Sequence, residues 1–84
     1  MEFLIVRFPE SREVRVDGDP QGKTNTILQF EAGYHLVTLG PPRNFSPVEQ
    51  KVLLQNTAAL DPCKVEFHLL PPAAIPHGPG GGGA

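Results

Sequence analysis

Apolar positions along this chain alternate with polar ones or gather in short runs, and Pro and Gly break each run before a helical period can build. FLIVRF, residues 3–8, is nearly continuous and rich in β-formers, as expected of a strand. After the turn PES, REVRVD alternates strictly, with Val14 and Val16 on one face and Glu13, Arg15 and Asp17 on the other. GDPQGK reads as a turn or short hairpin loop. TILQFE is a strand with Leu28 and Phe30 facing alike, and AG is a tight connection in which Gly33 suits a positive φ. YHLVTLG is a strand, PPRNFSP a loop, EQKVLLQN a strand with Val52 and Leu54 on one face, and TAALDP a loop. CKVEFHLL is the last strand, with Val65, Phe67 and Leu69 inward and Lys64, Glu66 and His68 outward. The pattern predicts an all-β fold, a small antiparallel β-sandwich of about six to seven short strands, with turn signals roughly every eight to twelve residues and no helix longer than about two turns.

The chain of 84 residues makes one domain at most. From Pro71 onward, PPAAIPHGPGGGGA carries a single large apolar residue, Ile75, and cannot bury enough surface to offset its ordering entropy. The expected division is a β domain over residues 1–70 and a disordered Pro/Gly/Ala-rich tail over 71–84. About seventy residues sit near the size at which one core is marginally stable, so a site is expected on a surface groove or a loop cluster and not in a deep cavity.

Charge narrows the partners. The formal net charge is −2, and the seven Lys and Arg residues are scattered, so the concentrated basic field that nucleic acid requires is missing. The single Cys63 cannot form an internal disulfide. MEFLIVRF has an acid before its short apolar run and Arg7 directly after it, which fits neither a signal peptide nor a membrane span. A soluble chain without membrane insertion is expected, in the cytoplasm, with envelope association left open.

FPESREVRVDGDPQGKT resembles the opening of the PEGA domain family, which reads as a strand, Pro-Glu-Gly-Ala, a strand ending in Val-Asp-Gly, and a short turn to Gly-x-Thr. Pro9, Glu10, Val16, Asp17, Gly18, Gly22 and Thr24 match, and Ser11 and Arg12 replace the Gly and Ala of the first turn. The family's next signature, Gly-x-His-x-Val, is matched by Gly33, His35 and Val37. The resemblance covers roughly residues 3–70 and implies a small β-sandwich, with an Ig- or transthyretin-like arrangement. It also implies no catalytic residues and a role in adhesion or protein contacts, in envelope and surface-layer proteins or beside other domains.

The residues themselves offer few chemistries. GDPQGKT looks like a phosphate-binding loop, yet only three residues separate Gly18 and Gly22 where that loop needs four. β-branched, alternating residues follow in place of a helix, and Asp19 puts a negative charge where phosphates belong. Asp17 and Asp19 lack the regular oxygen spacing and closing carboxylate of a calcium loop, with only Glu31 nearby downstream. His35, His68 and His77 are too far apart for zinc spacing, and His35 reads more simply as a half-buried residue bonded to a turn. Cys63 reads as a structural thiol, and the sequon Asn44-Phe45-Ser46 carries no meaning without an export signal. Hence no enzyme activity, metal or cofactor is expected.

The stretch GPPRNFSPV, residues 40–48, is long for a hairpin connection and stiffened by three prolines. Arg43 and Phe45 are the candidate partner-binding residues, because Arg and aromatics dominate interface energies. The alternative is that Phe45 folds back to cap the core. The functional expectation is a monomeric, non-enzymatic interaction module that binds a protein, or else a glycan, through this loop or an edge strand. The second expectation is an architectural, self-associating subunit of an envelope, surface-layer or secretion assembly.

Overall fold

The computed structural model describes residues 1–72; most of the predicted tail lies outside the described residues. Nine strands and no helix occur among the described residues, and all strand pairings but one are antiparallel. A three-stranded sheet has the order β4 (Ile27–Phe30), β1 (Glu2–Arg7), β8 (Cys63–Glu66). A four-stranded sheet has the order β3 (Asp19–Lys23), β2 (Glu13–Val16), β5 (Gly33–Leu39), β7 (Gln50–Leu54). The two-residue strands β6 (Phe45–Ser46) and β9 (His68–Leu69) pair with each other.

The alternation read from the sequence sets the core. Leu4, Val6 and Val65 from the first sheet and Val14, Val16, Val37, Leu39 and Leu54 from the second join Phe8, Phe45 and Phe67 in one buried cluster. Leu28, Phe30, Val52 and Cys63 pack against it half-buried. Each fully buried Val, Leu or Phe contributes about 1.5–3 kcal/mol relative to exposure, so these apolar faces are the main source of stability.

Three departures from the sequence reading have physical causes. First, GDPQGK is not a turn. Asp17 and Gly18, at φ 53° and 91°, form the two-residue turn, and Asp19 already pairs with Val16. Positive φ at both central residues is the type I′ geometry, whose twist matches a right-twisted hairpin. Pro20 and Gly22, which suggested loop, are tolerated because β3 is an edge strand, where a missing N–H costs no ladder bond. The register shifts between Val14 and Arg15, so Gln21 bulges out. Second, β8 runs parallel to β1, with Val65 opposite Val6. Strand pattern cannot distinguish parallel from antiparallel pairing, and the long intervening chain from β2 to β7 supplies the crossover that a parallel pair needs. Third, Leu69 is not inward. After Phe67 the chain leaves β8 to pair with Phe45 and Ser46, which turns Leu69 outward at 38% exposure.

Phe45 takes the core-cap position. Its ring meets Phe8 and Phe67 edge-on, at centroid distances of 6.4 and 5.8 Å, and it is 7% exposed. Phe45→Ala is expected to lower the unfolding free energy by about 3–5 kcal/mol, the range for a buried aromatic. Urea denaturation measures this, and a loss below about 1 kcal/mol, typical of a surface position, contradicts the placement.

Candidate functional site

The segment 40–48 is held from beneath by a buried arginine. Arg12 is 7% exposed, and its guanidinium donates to the Pro42 carbonyl at 2.8 Å, to the Gly40 carbonyl at 3.4 Å and to Glu10 Oε1 at 2.7 Å. The same group lies 5.0 Å from the centre of the Phe8 ring. The main chain of Arg12 is fixed in turn by Thr24, whose Oγ1 accepts from Arg12 N and donates to the Glu10 carbonyl. Arg12, in the first turn, is therefore the anchor of the distant proline-rich loop.

Loop and sheet enclose a hollow of about 310 Å³. Leu39, Phe45, Pro41 and Val48 give it apolar walls, and Arg15, Arg43 and Glu49 stand around it. Arg43 is exposed and has no ion-pair partner among the described residues, whereas Arg15 pairs with Glu13. Of the two residues singled out in the sequence, the structure thus leaves Arg43 at the surface and puts Phe45 in the core; they share the hollow but not a protruding tip.

The sequence reading missed the larger feature, the outer face of β5 and β7. On β5 the outward positions are Tyr34, Leu36 and Thr38, and on β7 they are Lys51 and Leu53. The register sets Tyr34 opposite Leu53 and Leu36 opposite Lys51. The Lys51 ammonium lies over the Tyr34 ring, 5.0 Å from its centre. Val48 joins them, since its carbonyl accepts from Thr38 Oγ1. Among the described residues eight large apolar side chains are exposed, and four of them (Tyr34, Leu36, Val48 and Leu53) gather here. A sheet face turned to water usually carries polar residues, so YHLVTL and KVLL, apolar on both faces, held the signal. β7 is also the end strand of its sheet.

A polar latch fixes the end of this face. Asp17 Oδ1 accepts from Leu36 N at 2.9 Å, and Asp17 Oδ2 meets His35 Nδ1 at 2.8 Å. His35 Nε2 meets the Glu31 carbonyl at 2.7 Å. Both ring nitrogens face acceptors, so the arrangement is complete only with the imidazolium donating twice. The Glu31 carbonyl first, and then the Asp17 carboxylate, raise the His35 pKa above its usual 6.5. The Leu36 amide first, and then His35, lower that of Asp17 below 3.8.

The other candidate residues do not converge. His68 is exposed at β9, His77 lies outside the described residues, and Cys63 is half-buried against the core. Asp17 is engaged by His35, and Asp19 belongs to β3. Among the described residues no three His, Cys, Asp or Glu side chains are grouped so as to hold a metal ion. No protein-family model, no curated protein and no solved structure matches the chain.

Two outcomes follow. Arg12→Met is expected to lose about 1.5–3 kcal/mol, the range for hydrogen bonds to a charged group, and to speed amide exchange across residues 40–48. Arg12→Lys should not restore the loss, because an ammonium lacks the planar fork that reaches three acceptors. Unaltered exchange in the Met variant contradicts the anchoring role. For the latch, a raised folded-state pKa of His35 means stability that is complete below about pH 6.5 and is lost as pH rises through the folded value. The lowered Asp17 pKa means stability present above about pH 3.8 and lost on acidification. The gap in thermal midpoint between the parent and His35→Gln should therefore be wider near pH ~5.5 than near ~8.5. An equal or reversed gap contradicts the doubly donating imidazolium.

Proposed function

We propose that this protein is a non-enzymatic interaction module with a PEGA-like β-sandwich arrangement, which binds a protein partner through the outer face of β5 and β7 and the free edge of β7. One observation carries the reading: among the described residues, half of the exposed large apolar side chains cluster on one sheet face beside an unpaired edge. Clusters of this kind mark interaction sites on small soluble domains. The two edges of the four-stranded sheet are not equivalent. β3 is blunted by Pro20, Gly22 and its bulge, whereas β7 has five residues with no Pro, Gly or bulge. An extended partner segment can add to β7 by main-chain hydrogen bonds and set alternate side chains against Tyr34 and Leu53. Arg43, on a loop that Phe45 and Arg12 hold rigid, supplies a polar anchor at low ordering cost. A protein partner is preferred over a glycan because Leu36, Val48 and Leu53 offer few hydrogen bonds to sugar hydroxyls.

The alternative, a self-associating architectural subunit, draws on the β7 pattern. In an antiparallel β7–β7 pair with a two-fold axis at Val52, Lys51 faces Leu53 and no like charges meet. The two readings separate in one experiment. Sedimentation at rising concentration should show a monomer if the partner is another protein, and a dimer if β7 pairs with itself. The double variant Tyr34→Ser, Leu53→Lys should keep the thermal midpoint within a few degrees, as exposed positions usually do, and abolish capture of the native partner by cross-linking. Undiminished capture by that variant removes this face as the site.

A further inference from the structure

We propose that the crevice where β1 and β8 diverge binds an oxyanion, a carboxylate or phosphoryl group. The two strands run parallel as far as Arg7 and Glu66, and one more backbone bond follows, from Phe67 N to the Arg7 carbonyl at 3.0 Å. There they part. β1 leads through Phe8 and Pro9 into the four-stranded sheet, while β8 leads through Phe67 into β9. Strands that leave a parallel pair in different directions open a crevice at their carboxyl ends, the geometry that places ligand sites in open α/β sheets. Here the crevice measures about 660 Å³.

Its walls are built and its charge is unbalanced. On one side Asn25, at φ 64°, spends its amide on the main chain of Phe8, accepting from Phe8 N at 3.2 Å and donating to the Phe8 carbonyl at 2.8 Å. This closes the end of β1 beyond the reach of β4 and leaves no stray backbone group of Phe8 to compete for a ligand. Arg7 and Lys64 share the outer face of the β1–β8 pair and both line the crevice, and His68 adds a ring nitrogen. Neither Arg7 nor Lys64 has an ion-pair partner within 4.0 Å among the described residues. Glu66 is the single acid in the lining and stands opposite Arg7 in the register, so two cations against one acid leave one positive charge over. A guanidinium fork and an ammonium on adjacent strands suit one oxyanion, held by charge-assisted hydrogen bonds. Pro9 and Leu69 supply apolar walls for whatever carries it. The crevice lies on the other sheet from the β5–β7 face, so it stands or falls independently of the interaction reading.

The test is a titration of the whole chain with benzoate and, separately, inorganic phosphate, followed by amide and side-chain NMR shifts at constant ionic strength. Saturable shifts confined to Arg7, Asn25, Lys64 and His68 are expected, and the tighter of the two probes identifies the carboxylate or phosphoryl source. Arg7→Gln and Lys64→Met, both at exposed positions, should each weaken binding roughly tenfold, about the contribution of one charge-assisted hydrogen bond. Glu66→Gln should tighten it. Non-saturating shifts, shifts spread equally over Lys23, Arg43 and Lys51, or unchanged affinity in the Arg7→Gln, Lys64→Met double variant would overturn the proposal.

Discussion

The buried guanidinium of Arg12 is the constraint on which one end of this domain depends. A charge at that depth is tolerable only because it is shared among Glu10, two backbone carbonyls and the face of Phe8. The two carbonyls belong to Gly40 and Pro42, so the first turn of the chain decides where a loop some thirty residues later begins. From there the loop must bring Phe45 back to Phe8 and Phe67, and β6 then receives β9. Three segments remote in sequence thus close one end of the core around a single cation.

Thr24 and Asn25 perform the matching task at the backbone. Thr24 Oγ1 bridges Arg12 N and the Glu10 carbonyl, and Asn25 satisfies both main-chain groups of Phe8. Buried or half-buried turns carry polar backbone that must find partners, and these two short side chains supply them where no strand can reach. The gain is local order in the β1–β2 turn without a longer sheet, which matters in a domain whose core is small.

The two larger sheets treat water differently. At the corner of the four-stranded sheet, Asp17 and His35 tie the β2–β3 turn to β5 through charge-assisted bonds. On either side of His35, Tyr34 and Leu36 stand exposed, with Leu53 opposite Tyr34. Rigid corners around an apolar face preserve its shape without covering it. The other sheet carries its unbalanced cations, Arg7 and Lys64, at a fork between strands.

Much of the framework was legible from the residues alone. Period-two alternation identified the strands around Val14 and Val16, Leu28 and Phe30, Val52 and Leu54, and Val65 and Phe67, because burial of one face imposes that period wherever the strand sits. The Gly33 conformation was equally local, a positive φ at a tight corner. What escaped was non-local. GDPQGK became an edge strand because neighbouring Val14 and Val16 offered it a ladder, and turn-forming residues are acceptable where no second neighbour needs an N–H. The parallel run of β8, the choice between the two readings of Phe45, the exposure of Leu69 and the role of Arg12 all depend on which segments meet. Alternation states that a strand has two faces; only the packed chain assigns each face to core, to water or to a neighbouring strand, because that choice is made by the total apolar area the whole fold can bury and by the polar groups it must satisfy.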